Sequence, residues 1–431
     1  MHIALITAGG AGMFCGSCMH DNTLARALMA SGHRVTLIPL YTPIRVDELD
    51  VSEHRVFLGG VNVYLAGLWP WWSRVPRFLR AWLDRPAVLR FVSRFAVSSD
   101  AKDLGGLTVA LLRGDDGPHR AEIEEFVKFI GDELKPDVVV LSNALLGGVV
   151  PSLKRRFSGA VWCLLQGDDI FLGDLVEPYR SQAFELMYQI VREIDGFLVH
   201  SEYYRQFMAD YLRFPADKAK VVPLGIDLAG HDGVVKTARE SGSLFTVGYF
   251  ARICPEKGLH NLVHAFRILH AKHPQTRLVA AGYLGARDQA WFDDLKRSAE
   301  DLAGAFEYQG SPPDHLGKVA FLKSVDVLSV PTTYREPKGL YVLEALANGV
   351  PVVQPGHGSF PELIEATGGG LLVEPDDPGA LADGLERLLL DEELRHRLAD
   401  TGRQRVRERF TMSRMAEETA RVLDIRPGSK P

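Results

Sequence analysis

The chain has 431 residues, 46% of them hydrophobic and 24% charged, with a formal net charge of −6. Those values fit a soluble globular protein, the length suggests two domains or three at most, and the charge offers no footprint for nucleic acid. No apolar run reaches the ~18 residues of a membrane span, and Met1–Thr7 runs straight into a strand pattern without a basic region, apolar stretch and cleavage site, so no secretory signal and a cytoplasmic location are expected.

In chain order, His2–Thr7 reads as a short apolar strand. A loop with Gly9, Gly10, Gly12 and Gly16 follows, then a helical pattern from about Asp21 to Ser31 and a second strand at His33–Pro39. This opens a Rossmann-type βαβ unit. The loop also carries Cys15 and Cys18, a C-x-x-C among four cysteines. Zinc would need a second pair of ligands, which the sequence does not supply, and a thioredoxin-like site belongs to another topology. The expected reading is two ordinary small residues in a glycine-rich loop.

Residues Trp69–Phe95 hold four of the six tryptophans and six arginines against one acid, Asp84. Val75, Phe78, Leu79, Trp82 and Leu83 share one helical face, and the arginines lie mostly off it. A helix packed on its own domain is the favoured reading. Peripheral membrane contact and a lid over a sugar acceptor are the alternatives.

Strands buried on both faces are expected at Asp137–Ser142, Val161–Gln166, Gly196–Ser201 and Lys220–Leu224. The pattern restarts at Leu244–Ala251 and continues through Thr276–Ala281, Ala305–Gln309, Asp326–Val330, Pro351–Gln354 and Gly370–Glu374. Helices are expected between them at Leu259–Lys272, Ala290–Leu302 and Gly339–Asn348. The result is an α/β chain of two doubly wound domains facing each other across a cleft: residues 1–225, a linker 226–243, and residues 244–409. A last helical pattern, Ser413–Asp424, is expected to cross back, so that 410–427 joins the first domain.

Two motifs carry the chemistry. After the strand at Leu244–Ala251 come Arg252 and Lys257, five residues apart. An arginine fork and a lysine point charge suit phosphate oxygens and the charge that develops on a departing diphosphate. After the strand at Asp326–Val330 come Glu336-Pro337-Lys338-Gly339-Leu340 and then Glu344. Gly339 opens a helix, where free N–H groups favour an anion and glycine permits close approach. Glu344 suits a ribose diol, and Glu336 suits hydroxyls of a transferred sugar. The bland alternatives are exposed cations and a solvated acidic pair.

Together these segments resemble the family 4 glycosyltransferases, of GT-B architecture. Ala345-x-x-x-Gly349-x-Pro351-Val352-Val353, Val222-Pro223-Leu224-Gly225-Ile226-Asp227 and Gly369-Gly370-Leu371-Leu372-Val373 are similar to further family segments. The resemblance implies a hexosyltransferase that retains anomeric configuration and needs neither metal nor cofactor. Its donor is a nucleoside-diphosphate sugar, UDP- or GDP-linked. Its acceptor is a sugar, a lipid-linked glycan or a small molecule. The absence of a D-x-D triplet agrees with metal independence.

The resemblance also implies that Arg252, Lys257, Gly339, Leu340 and Glu344 hold the donor, with Gly12 and Gly16 approaching it from the first loop. Met13, Phe14, His20 and Asp21 are expected to face the acceptor. Gln166 stands where family members often have a histidine near the reacting sugar. An amide can hydrogen-bond a hydroxyl but cannot act as a general base. Asp168 and Asp169 are read either as polar acceptor contacts or as an exposed turn capping a helix. Two rival functions remain: a non-hydrolysing nucleotide-sugar epimerase, and a catalytically silent sugar-nucleotide-binding protein.

Overall fold

The computed structural model describes residues 1–9, 15–58, 101–231 and 243–424. Its packing divides the chain into two units, Met1–Val222 with Met415–Pro431, and Pro223–Arg414.

The first unit is built on six parallel strands: β1 (His2–Thr7), β2 (Arg34–Pro39), β3 (Val138–Leu141), β4 (Ala160–Leu164), β5 (Gly196–Val199) and β6 (Ala219–Val221). Their order is β2-β1-β3-β4-β5-β6. Every residue of β1 and β3 is buried, as strands covered by helices on both faces must be. That double burial is why they read as unbroken Ile/Leu/Val runs. The order reverses between β1 and β3, so the loops leaving those two strands open side by side at their carboxyl ends.

The second unit repeats the plan with β7 (Phe245–Phe250), β8 (Thr276–Ala281), β9 (Phe306–Tyr308), β10 (Val327–Leu328), β11 (Val352–Pro355) and β12 (Gly370–Val373). Their order is β12-β11-β10-β7-β8-β9, and the reversal lies between β7 and β10. A core including Phe245, Tyr249, Phe266, Phe292, Leu346 and Phe360 fills the space between sheet and helices.

The unit boundary falls earlier than the sequence suggests. Leu224 and Ile226 belong to the second core. The Ile226 N–H donates to Phe410 O at 3.0 Å, and the Met412 N–H donates to Ile226 O at 2.9 Å. Arg407 reaches His231 O at 2.8 Å. The start of the expected linker is therefore packed, because its apolar side chains find a core; 232–242 lie outside the described residues. The last helix, Met412–Leu423, buries Met415, Ala416, Thr419 and Leu423 along one stripe, and the chain from Met415 groups with the first unit.

The first helix spans Gly16–Ala30 rather than starting near Asp21. Cys15 is its N-cap residue, and Cys18, His20 and Asp21 lie on its buried side. The expected helix Ala290–Leu302 resolves into Gln289–Ser298 and a 3₁₀ turn, Glu300–Leu302. Other element ends differ from expectation by a few residues at most. Residues Trp69–Phe95 lie outside the described residues. Among the described residues no helix is long and apolar enough to cross a membrane.

Candidate functional site

At the second sheet's reversal, the loop after β7 leads to the helix Leu259–Lys272 and the loop after β10 leads to the helix Leu340–Ala347. Their adjacency joins Lys257 to Glu336, 79 residues apart: Lys257 Nζ lies 2.7 Å from Glu336 Oε2. The Tyr341 and Tyr334 hydroxyls donate to the same oxygen at 2.9 and 3.1 Å. The Lys338 and Gly339 N–H groups face Oε1 at 3.4 Å. Burial alone would push the Glu336 carboxyl up. The Lys257 charge and the three side-chain hydrogen bonds outweigh it and hold the group down at about 2. Lys257 also lies 5.0 and 5.2 Å from the ring centroids of Tyr334 and Tyr341, within cation–π range.

Glycines allow the two loops to touch. Gly258 has φ +73°, and a Cβ there would sit 1.7 Å from Pro331 O. The Thr333 N–H donates to Glu256 O at 3.0 Å just beyond it. Gly339, at φ 77°, is the N-cap of the helix Leu340–Ala347 and supplies no side-chain cap. Gly339 itself therefore gives the first helical N–H groups no side-chain acceptor, and its own N–H faces Glu336 Oε1.

Arg252 is exposed. Its Nε lies 3.2 Å from Cys254 Sγ, and the Tyr249 hydroxyl fixes its carbonyl at 3.0 Å. Glu344 stands in the second turn of the helix, where Lys318 Nζ donates to its Oε1 at 2.8 Å. Lys318 is buried. Asn348 Nδ2 donates to Glu344 O at 2.9 Å and meets His231 Nδ1 at 2.9 Å. Burial lowers the His231 pKa to about 4, so its imidazole is neutral at pH 7. Leu340 is half-buried at the first position of the helix.

Sequence reasoning missed Tyr334, Tyr341 and Lys318. For Lys318 a signal existed: it shares the buried face of the helix His315–Ser324 with Val319, Phe321 and Leu322, an uncommon place for a lysine without a partner. The tyrosines carry no such mark, because an aromatic beside a helix start reads as core.

The first unit holds a second polar cluster, centred on Asp21. Thr7 Oγ1 donates to Asp21 Oδ2 at 2.8 Å, and Gln166 Nε2 donates to Oδ1 at 2.8 Å. Gln166 Nε2 also donates to Ser142 O at 3.0 Å. The cluster thus ties together the loops that leave β1, β3 and β4. His20 Nδ1 lies 3.4 Å from Asp21 Oδ1, and its ring centroid is 4.6 Å from that of His200.

These positions correct the reading of the first loop. His20 and Asp21, expected to face an acceptor, are 1% and 0% exposed, because the helix begins five residues early and turns them inward. The Gln166 amide likewise donates inward. Asp168 is buried rather than an exposed turn: its carboxylate accepts from the N–H groups of Gln166, at 2.9 Å, and Ala144. Burial pushes its pKa up to about 6. Asp169 accepts from the Tyr204 hydroxyl at 2.6 Å. Gly16 is the first residue of the helix, and among the described residues a Cβ there would meet nothing within 4 Å. Gly12, Met13 and Phe14 lie outside the described residues. Among the described residues no group of three or more His, Cys, Asp or Glu is placed to hold a metal ion.

Two family models match in tandem: a glycosyl transferase 4-like domain over residues 22–225 and the glycosyl transferases group 1 over residues 236–405. A D-inositol 3-phosphate glycosyltransferase of Corynebacterium jeikeium is 32% identical over 278 residues, which cover 60% of this chain and 65% of that protein. The chain thus spans a little under two thirds of that relative. Among solved structures, sucrose-phosphate synthase from Thermosynechococcus elongatus shares the fold with a TM-score of 0.73 at 19% identity, covering 98% of both chains. Anabaena HepE in complex with UDP does so with a TM-score of 0.67 at 17% identity, covering 98% of this chain and 99% of the other.

Proposed function

The chain belongs to the family 4 glycosyltransferases, of GT-B fold, and from that premise we propose that it moves a sugar from a nucleoside-diphosphate sugar to an acceptor hydroxyl with retention of configuration. The observation that carries this reading is the meeting of Lys257, Glu336 and the uncapped helix start at Gly339 where the second sheet reverses. Open α/β sheets bind ligands at such reversals.

Each residue then has a task that its surroundings suit. Lys257 has three donors and gives one to Glu336, leaving others for phosphate oxygens. Arg252, exposed on the same loop, adds a planar fork. The helix start at Gly339 supplies N–H groups to the diphosphate. Glu336, kept ionised by Lys257 and two tyrosine hydroxyls, accepts hydrogen bonds from hydroxyls of the donor sugar. Glu344, with Oε1 taken by Lys318, offers its other oxygen to ribose hydroxyls. Bond cleavage places negative charge on the diphosphate, and cations already aimed at it lower the barrier. The departing phosphate takes the acceptor proton on the same face, so no protein base is required. Neither a metal ion nor another cofactor enters this scheme. UDP and GDP donors both fit it, and the acceptor is a hydroxyl of a glycan, a glycolipid or a small molecule.

The test is thermal unfolding of the purified chain against UDP, GDP, ADP and their sugars. A ligand at 100 times its Kd stabilises the folded state by ~2.7 kcal/mol, and one nucleoside diphosphate is expected to raise the midpoint selectively. Arg252→Ala, at an exposed position, is expected to reduce that rise without lowering the midpoint of the free protein. If no nucleotide moves the midpoint at millimolar concentration, the donor site is refuted. Selective binding with no transfer to any acceptor would point instead to a silent binding protein.

A further inference from the structure

The proposed transfer reaction gives the C-x-x-C at the start of the first helix no task, yet the fold treats it specifically. Cys15 is the N-cap of the helix Gly16–Ala30, with extended backbone at φ −114° and ψ 122°, and Cys18 is three residues on, inside the first turn. An N-cap side chain folds over the first turn and meets the residue three positions later, the geometry that capping boxes use. Cys15 stands close enough to Cys18 to push the Cys18 thiol's pKa up. This spacing puts the Cα atoms about 5–6 Å apart, inside the span a disulfide bridges. Cys15 is half-exposed, whereas Cys18 is buried with Thr7 Oγ1 4.0 Å from its sulfur. Cys163 and Cys254 are both buried, in β4 and in the second unit. Among the described residues no group of three or more metal-ligating side chains includes the pair.

We propose that Cys15 and Cys18 form an oxidisable dithiol, a modification site that low-molecular-weight disulfides close into an intrachain disulfide. Cys15 is the sulfur a small disulfide can reach. Its thiolate attacks one sulfur of the reagent, the S–S bond breaks, and one reagent thiol leaves. Cys18 then gives up its proton to solvent, and its sulfur attacks Cys15 Sγ and expels the second reagent thiol. The protein loses two hydrogens and two electrons, and the reagent disulfide is reduced to two thiols. Neighbouring Cys15 and, after it, burial push the Cys18 thiol's pKa up, consistent with Cys18 as the resolving sulfur rather than the attacking one. The inference does not depend on the transferase reading.

The experiment equilibrates the native full chain in buffers of graded oxidised-to-reduced glutathione, quenches in acid and alkylates in denaturant. The expected product is lighter by two hydrogens, with both blocked sulfurs in the peptide holding Cys15 and Cys18, while Cys163 and Cys254 alkylate fully. Dithiothreitol reverses it. Cys18→Ser is expected to retain one glutathione on Cys15, and Cys15→Ser to take none. Unfolding midpoints identify any variant that fails to fold, and the wild-type experiment stands without the variants. The proposal is overturned if both sulfurs alkylate at every ratio, if glutathione stays on wild-type Cys15 unresolved, or if the disulfide engages Cys163 or Cys254.

Discussion

The two sheets end in polar clusters of opposite design. In the second, Lys257 and Glu336 meet with side chains 18% and 6% exposed, beside an exposed arginine and an uncapped helix start. Charge there is paired but within reach of a ligand. In the first, Asp21 is enclosed by Thr7, Gln166 and His20, and Asp168 is held by two backbone N–H groups. One topology has been used to present charge and to bury it. A cluster whose hydrogen bonds point inward positions loops, and a cluster with donors to spare is the one proposed to receive an anion.

Lys257→Ala gives the largest expected break in that contrast. It removes the cation proposed to face the leaving diphosphate, and turnover should fall about 100-fold or more. It also strands the Glu336 charge in a buried site, which typically destabilises by ~3–5 kcal/mol. Adding Glu336→Gln to Lys257→Ala removes the stranded charge without restoring the cation, so recovered stability with turnover still low separates the two effects. Steady-state kinetics beside urea unfolding of both variants would show this. Wild-type turnover in Lys257→Ala would remove Lys257 from the donor site.

Two carboxylates sharpen the comparison through pH, with opposite signs. The Glu336 pKa falls from 4.5 to about 2. The folded state therefore holds fewer protons, and Glu336 contributes ~3 kcal/mol that is present above about pH 4.5 and lost as pH falls toward 2. The Asp168 pKa rises from 3.8 to about 6. Its contribution, also ~3 kcal/mol, is complete below about pH 4 and lost as pH rises through 6. The stability gap between wild type and Glu336→Gln should narrow in acid. The gap between wild type and Asp168→Asn should move against wild type between pH 4 and 6. Urea midpoints of the three proteins across pH 2.5–7 decide it, and slopes of the same sign would mean that one environment has been misread.

The fold was legible because parallel strands buried on both faces leave continuous apolar runs. Thr276–Ala281 and Leu259–Lys272 were recovered to the residue. The residues proposed for the second site could be picked out in the sequence because glutamates, a helix-start glycine and two cations follow strand ends on either side of one reversal. Partners that act through tertiary contact were not. Tyr341 and Lys318 are named by their distances to Glu336 and Glu344, which no local pattern encodes. The first helix was read short because Cys15 and Gly16 resemble loop residues. That error turned His20 and Asp21 outward on paper while the fold turns them inward.

Gln166 gives the smallest of these effects and tests the contrast from the first unit. Its amide donates to Asp21 and to Ser142 O, so Gln166→Leu leaves a buried carboxylate oxygen and a buried carbonyl each short of a donor. The cost of such orphaned groups is about 1–3 kcal/mol, partly offset by the apolar surface leucine brings. Because the Arg252–Lys257 loop belongs to the other unit, the midpoint rise given by the stabilising nucleotide should be unchanged even as the free protein unfolds earlier. Urea unfolding with and without that nucleotide separates the two quantities. If Gln166→Leu keeps its stability but loses the nucleotide-induced rise, the amide belongs to the donor's surroundings after all, and the division between a presenting cluster and a positioning cluster fails at this residue.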